Sequence, residues 1–390
     1  MTPISLAECD ILDAHCHPWR LETLLDRDPM GFLDRITMMG MCLISSDLID
    51  EVGEAELRRL TDSTPFARVM QRRLAAFLGC DPDRESLGEA RLRRLRDDAP
   101  AYLESLWRDA GLVGIVCDEG YPQPTIELAD FAEKAALPVH RVARIEPWIT
   151  SLRAGSDSFS QLEDAFVATA EQAAGESIVA FKSVIAYRTG LDVSRPSRGD
   201  ATAAFERWRA DDFAETREHA KPVRDLLLYR TLEIARQADR PVHIHCGGGD
   251  PEIVLAHARA QDLFPLLHEH VSQPIVLIHA GQPWLDEGAY VASILPNVYL
   301  ELSITMPWSS LALDGKLEAL LGVAPTARVL YGSDESTEPE VLWLSAQLGR
   351  AALERVLGRG VEHDWLTERE AVSIGANVLA QNARRLHGIA

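Results

Sequence analysis

The chain has 390 residues, of which 46% are hydrophobic and 25% charged, values that suit a soluble globular protein of one large domain or two smaller ones. A net charge of −21 leaves no basic field to neutralise phosphates, so nucleic acid is not an expected partner. The same charge leaves the substrate open, because a bound metal makes one cleft locally positive on an acidic protein. Six cysteines without CxxC spacing indicate neither a zinc ribbon nor a disulfide scaffold. Met1 to Asp10 lacks the basic start and apolar core of a signal peptide, and no apolar run approaches the ~20 residues of a membrane helix. A cytoplasmic protein with reduced thiols is expected.

In chain order, Ile11-Leu12-Asp13-Ala14-His15-Cys16-His17 reads as the first strand. Side chains two residues apart on a strand share a face, so His15 and His17 project together. Two imidazoles there offer a bidentate site for a divalent transition metal, and two structural histidines are the plain alternative. Glu54 to Leu78 and Ser86 to Ala110 then read as amphipathic helices with Arg-rich polar faces. Residues 20–110 therefore form a helical insertion, either a cap over the first strand's end or an outer layer that buries one barrel edge.

From Gly111 strands and helices alternate. Strands are expected at Leu112 to Cys117, Pro138 to Ile145 and Ile178 to Lys182, then at Val242, Ile275, Val298 and Val329. Helices are expected at Leu128 to Ala136, at Asp164 to Ala174, and at Val223 to Gln237, the last opened by Pro222 where proline is tolerated. Asp192 to Ala220 is polar, carries Pro196 and reads as an excursion. Thr367-Glu368-Arg369-Glu370 has capping-box spacing for a C-terminal helix ending near Leu386. Eight strand candidates with helices between most of them describe an α/β fold. The expected form is a single (β/α)8 TIM barrel over residues 1–390, with the helical insertion after strand 1 and the excursion after strand 4. A doubly wound sheet has the same count, but Gly247-Gly248-Gly249-Asp250 lacks the GxGxxG spacing. In a barrel the strand C-termini all open on one face, which gathers the polar residues that end them.

Three later strands also end in metal-competent side chains: Pro241-Val242-His243-Ile244-His245, Ile275-Val276-Leu277-Ile278-His279, and Arg328-Val329-Leu330-Tyr331-Gly332-Ser333-Asp334. An HxH strand, two strands ending in His and one ending in Asp resemble the amidohydrolase superfamily. Phe181 to Leu191, His245 to Asp250, Ile278 to Gly281 and Tyr331 to Asp334 are similar to the FluG-type amidohydrolase domain, which elsewhere accompanies glutamine synthetase-like modules. The resemblance runs from Ile11 to His387 and is weakest between Arg20 and Arg108.

The resemblance implies a divalent metal, zinc by default with manganese, iron or cobalt as alternatives, and one or two ions. It implies His15, His17, His245 and Asp334 as ligands, His279 as a ligand or a catalytic histidine, and Asp334 also as general base. Lys182 has three readings, of which the first is favoured: a carboxylated lysine bridging two metals, a clamp for a substrate carboxylate, or a structural ion pair. His243, one layer deeper than His245, is either substrate-facing or a buried, hydrogen-bonded histidine, and the latter is favoured. Tyr187 and Arg188 are placed to fork onto an anionic group. Arg144 and Glu146 form a polar couple near the mouth or, as the preferred alternative, a mutual salt bridge. His257, His268 and His270 are expected in solvated or packing roles, and Glu335, without a family match, at the surface.

The implied activity is hydrolysis of a small carboxylated amide of the γ-glutamyl type. The alternatives are non-oxidative decarboxylation of an aromatic or enoic acid, with His279 handling the proton, and a catalytically dead binding protein, against which the complete ligand set argues. The expected partner is a small-molecule substrate, with no membrane and no nucleic acid. An added helical layer also suits packing against a second copy in a homodimer.

Overall fold

A computed structural model describes residues 4–26, 28–46 and 48–390. Eight strands follow one another around a single parallel sheet: β1 (Ile11–Cys16), β2 (Leu112–Asp118), β3 (Val139–Arg144), β4 (Ile178–Ser183), β5 (Val242–His245), β6 (Ile275–Ile278), β7 (Val298–Glu301) and β8 (Val329–Leu330). Ala14 N–H donates to Tyr331 O at 2.9 Å and Asp334 N–H to His15 O at 2.9 Å, so the segment after β8 returns to β1 and the barrel closes. The strands are rich in Val, Ile and Leu because helices cover their outer faces and side chains fill the interior.

Beneath the mouth, Leu12, Ala14, Val276, Ile278 and Leu330 pack with Ala380 and Ala383, which the C-terminal helical segment inserts from below. Along β1 three steps, Asp13 to Cys16, match two along β2, Ile115 to Cys117, which makes a β-bulge. The bulge changes the alternation of β1, so Ala14 belongs to this interior cluster while His15 and His17 line the cavity above it.

The insertion between β1 and β2 is helical, but its long helix is broken in two. Glu54–Asp62 and Pro65–Leu78 are separated at Thr64, whose side chain accepts from Ala67 N–H and caps the second helix, with Pro65 opening it. Arg84–Ala110 kinks at Asp98, which takes an extended conformation ahead of Pro100. Arg35, Met41 and Ile44 of the insertion reach the cavity at the barrel mouth.

Two expectations after β4 are corrected. The excursion contains a helix, Arg198–Ala210, which buries Ala201, Ala204, Phe205 and Trp208 on one face of a sequence that looks polar because the other face is charged. Pro222 lies inside the Arg217–Gln237 helix rather than opening it. The extra turn is held by tertiary bonds, Arg217 Nε to Thr189 O at 2.9 Å and Lys221 Nζ to Asp192 O at 2.9 Å, which offset the hydrogen bond that proline forfeits. The capping box at Thr367 and Glu370 is present. Among the described residues no helix is long and apolar enough to cross a membrane.

Candidate metal centre and cavity

The C-terminal ends of the strands enclose a cavity of about 260 Å³, and His15, His17, Lys182, His245, His279 and Asp334 all border it. Three of them converge. Ligand atoms of His15, His17 and Asp334 lie within 4.8 Å of one another. His15 Nε2 is 3.2 Å and His17 Nε2 3.5 Å from Asp334 Oδ1. His17 Nδ1 lies 3.2 Å from the Asp118 carbonyl, which only accepts, so Nδ1 carries the ring proton. His17 Nε2 is therefore the ring nitrogen turned towards the Asp334 carboxylate. Burial holds His15, His245 and His279 well below the ordinary imidazole pKa and hence neutral. Two imidazoles and a carboxylate that converge in this way, one ring held through its other nitrogen by a backbone carbonyl, are a donor set that suits a divalent cation.

A second chain of bonds orients His245. The Ser303 hydroxyl donates to Glu301 Oε2 at 2.6 Å, so its oxygen accepts from His279 Nδ1 at 2.8 Å. His279 Nε2 then accepts from His245 Nδ1 at 3.1 Å. What remains is His245 Nε2, a lone pair that is buried, borders the cavity and has no hydrogen-bond partner among the described residues. Both nitrogens of His279 are used within this chain, and its Nε2 stands 4.0 Å from Asp334 Oδ2. Asp334 and His279 both adopt left-handed backbone conformations, with φ of 63° and 68°, an uncommon state that concentrates at functional sites.

Lys182, next to last in β4, has its Nζ 3.4 Å from His15 Nε2. Burial lowers its ammonium to about 8, against the opposing pull of Asp118. Among the described residues no carboxylate pairs with it, which removes the structural ion pair from its three readings. The salt bridge expected between Arg144 and Glu146 is corrected. Arg144 grips Asp118, Nε lying 3.0 Å from both carboxylate oxygens, and burial of Asp118 is outweighed by this cation, which holds its carboxyl well below the usual range. Glu146 turns away to accept from Ser183 Oγ at 2.7 Å and Val184 N–H at 2.9 Å, fixing the end of β4. Two alternating strand residues were read as one couple, but the helix that begins at Ile145 turns Glu146 onto the neighbouring strand.

His243 does not border the cavity. Its Nε2 meets His387 Nε2 at 2.9 Å beneath the site, so it is a buried, bonded histidine and not a substrate contact. Tyr187 and Arg188 do border the cavity. His257, His268 and His270 do not. Glu335 is fully buried, not a surface residue: its Oε1 accepts from Glu338 N–H at 2.6 Å and from Thr337, shaping the turn after Asp334. Burial pushes its carboxyl up to about 8.

A model of the amidohydrolase family matches residues 12–389. This chain belongs to that family. Over 241 residues it is 33% identical to protein fluG of Emericella nidulans, a match covering 59% of this amidohydrolase and 28% of that longer protein. A Lactobacillus casei protein assigned as a metal-dependent hydrolase has the same fold, with a TM-score of 0.83, 21% identity and coverage of 100% of this chain and 98% of that one. Uronate isomerases share the fold more distantly. The one from Bacillus halodurans has a TM-score of 0.69 at 14% identity, covering 98% and 94% of the two chains. The one from Thermotoga maritima has 0.70 at 16%, covering 98% and 95%.

Four residues that act in this amidohydrolase site escaped the sequence reading: Asp118, Glu301, Ser303 and Asp250. Asp118 and Glu301 end strands as His245 does, so a carboxylate at a barrel strand's C-terminus was the available signal. Asp250 closes the His245 to Asp250 turn that carries part of the resemblance, which was its available signal, while Ser303 lies in a loop where nothing in the local sequence distinguishes it from other polar residues.

Proposed function

We propose that the chain is a metal-dependent hydrolase that cleaves the C–N bond of a small carboxylated amide of the γ-glutamyl type. The observation that carries the reading is the meeting of the His15 and His17 Nε2 atoms with Asp334 Oδ1 on the wall of a closed-barrel cavity. The amide and its γ-glutamyl character are supported by the likeness to fluG, and the carboxylate by Arg188.

His15, His17 and Asp334 would hold a divalent metal, zinc by default for these donors, which would supply Lewis acidity and lower the pKa of water to about 7. The protein does the rest. Asp334 takes the proton of the attacking water on its carboxylate and delivers it to the leaving nitrogen, while His279 holds the His245 ring in place. The His245 Nε2 lone pair, fixed by the Glu301–Ser303–His279 chain, faces the reacting group without rearranging. Tyr187 Oη accepts from Asp250 N–H at 2.9 Å, which leaves its own hydrogen to donate to the substrate. Arg188 receives the substrate carboxylate.

Amine release across a panel of small carboxylated amides tests the reading on metal-loaded protein. Turnover of a γ-glutamyl amide is expected. Carbon dioxide release from aromatic acids, or isomerisation of a sugar acid, in place of amine release overturns it.

A further inference from the structure

One carboxylate in the cavity is left without a counter-charge. Asp250 borders it, and the donor to its Oδ1 is the thiol of Cys42 at 3.4 Å, a weak hydrogen-bond donor. Among the described residues no lysine, arginine or histidine nitrogen reaches ion-pair distance of Asp250. A half-buried carboxylate loses hydration and ordinarily recovers it from a cation or from several strong donors. Among the described residues neither is supplied.

The loop that carries Asp250 is built tightly. Gly247 has φ of 98°, and a Cβ there would lie 2.2 Å from Gln282 O. A Cβ at Gly249 would lie 1.8 Å from Tyr187 Oη, the atom that accepts from Asp250 N–H. Gly247 thus lets the loop pack on the Gln282 backbone and Gly249 lets it pass against Tyr187, which together hold the carboxylate at the cavity wall. Arg188 borders the same cavity and, among the described residues, has no carboxylate partner. Glu252 is exposed at the rim and hydrated, which makes Asp250 the acidic group with most to gain from a ligand. Two opposite charges that share one cavity without pairing match a ligand that carries both.

We propose that Asp250 is the subsite for a cationic ammonium group, so that the cavity takes a zwitterionic substrate with its carboxylate on Arg188 and its ammonium on Asp250. This rests on the hydrolase reading above and deepens it by assigning a residue to the ammonium that its γ-glutamyl substrate carries.

The test is binding of two matched probes to metal-loaded protein by titration calorimetry: L-glutamate, and glutarate, which lacks the ammonium. The wild type is expected to favour glutamate by roughly tenfold or more, the scale of one charged hydrogen bond. Asp250→Asn should bring the two affinities together, and Asp250→Glu should restore part of the preference. Arg188→Gln should weaken both probes and leave their ratio unchanged, which separates loss of the subsite from general damage. Equal affinities in the wild type, a preference that survives Asp250→Asn, or failure of both probes to bind overturns the proposal. The glutamate preference without any amine release would leave the subsite standing and overturn the hydrolase reading alone.

Discussion

Arg91 and Glu340 form a buried ion pair that fastens the insertion to the segment behind Asp334, with Arg91 Nε 2.6 Å from Glu340 Oε1. The same guanidinium reaches Glu338 Oε2 at 2.7 Å and lies 4.5 Å over the Phe32 ring. Tyr102 donates its hydroxyl to Glu340 Oε1 at 2.7 Å. The connection continues into the site, because Glu338 N–H donates to Glu335 Oε1 and Glu335 O accepts from His17 N–H. An insertion distant in sequence is thereby bonded to the strand ends that carry His17 and Asp334.

Arg91→Met should destabilise the protein by about 3–5 kcal/mol, the cost of removing the cation from buried carboxylates. Adding Glu340→Gln to Arg91→Met should recover part of that loss, since an amide tolerates burial without a counter-charge. Thermal unfolding of the two variants beside wild type measures both effects. An unchanged midpoint in Arg91→Met would show that the pair contributes nothing net.

Asp334→Asn keeps an oxygen within reach of His15 and His17 but removes the proton acceptor. It should retain much of the metal and lose turnover by ~10²–10⁴-fold, the usual cost of a lost general base. Metal content and steady-state rates on the same preparation decide it. Near-normal turnover removes Asp334 from the proton-transfer role.

Replacing His15 and His17 together by alanine should strip the metal and leave the barrel folded, because the interior cluster of Leu12, Val276, Ile278 and Leu330 lies below the site and does not depend on it. Circular dichroism and elemental analysis measure the two halves of the claim. A collapsed spectrum would assign the metal a structural role.

The fold was readable because strand and helix alternate from Gly111 onward, and four strands advertise themselves by ending in His or Asp. The centre's three convergent residues were readable for the same reason: a strand end fixes where a side chain points. What failed was pairing. Arg144 and Glu146 are neighbours in sequence, yet their partners, Asp118 and Ser183, come from adjacent strands, and only barrel register brings those together. The tight turn after β8 hid Glu335 in the same way, since a charged residue in a loop ordinarily faces water and this one satisfies the backbone of the turn.

His387 makes stability depend on acidity. Its Nδ1 donates to Ala383 O at 2.8 Å, so its Nε2 accepts from His243 at 2.9 Å, and protonation would set two donors against each other. Burial, first among the causes, lowers its pKa from 6.5 to about 4. Above pH 6.5 both folded and unfolded forms are neutral. As pH falls from 6.5 towards 4, the unfolded chain binds a proton that the folded one refuses, so stability drops by on the order of 3 kcal/mol from this residue. His387→Gln should flatten the fall in unfolding free energy across that window. Parallel curves for variant and wild type would remove His387 as a source of the acid sensitivity.

Lys182 decides how many metals the site holds. A carboxylated Lys182 would bring negative charge and two oxygens to bridge a second ion, whose remaining ligands would have to be His245 and His279. His279 is instead committed at both nitrogens, Nε2 to His245 Nδ1 at 3.1 Å and Nδ1 to Ser303, and of the pair only His245 keeps a free nitrogen, its Nε2. The expected result is therefore one metal per chain by elemental analysis of unheated, chelator-free protein, unchanged in Lys182→Ala. Added bicarbonate should not hasten reconstitution of the apo protein, because no carbamate has to form. Lys182 then serves as a cation at the cavity wall, and its alanine variant should raise KM for anionic substrates by roughly tenfold or more, the scale of one to three kcal/mol for a charged hydrogen bond. Two metals per chain, with one lost in Lys182→Ala and recovery quickened by bicarbonate, would establish the carbamate bridge and require His279 to release His245 when metal binds.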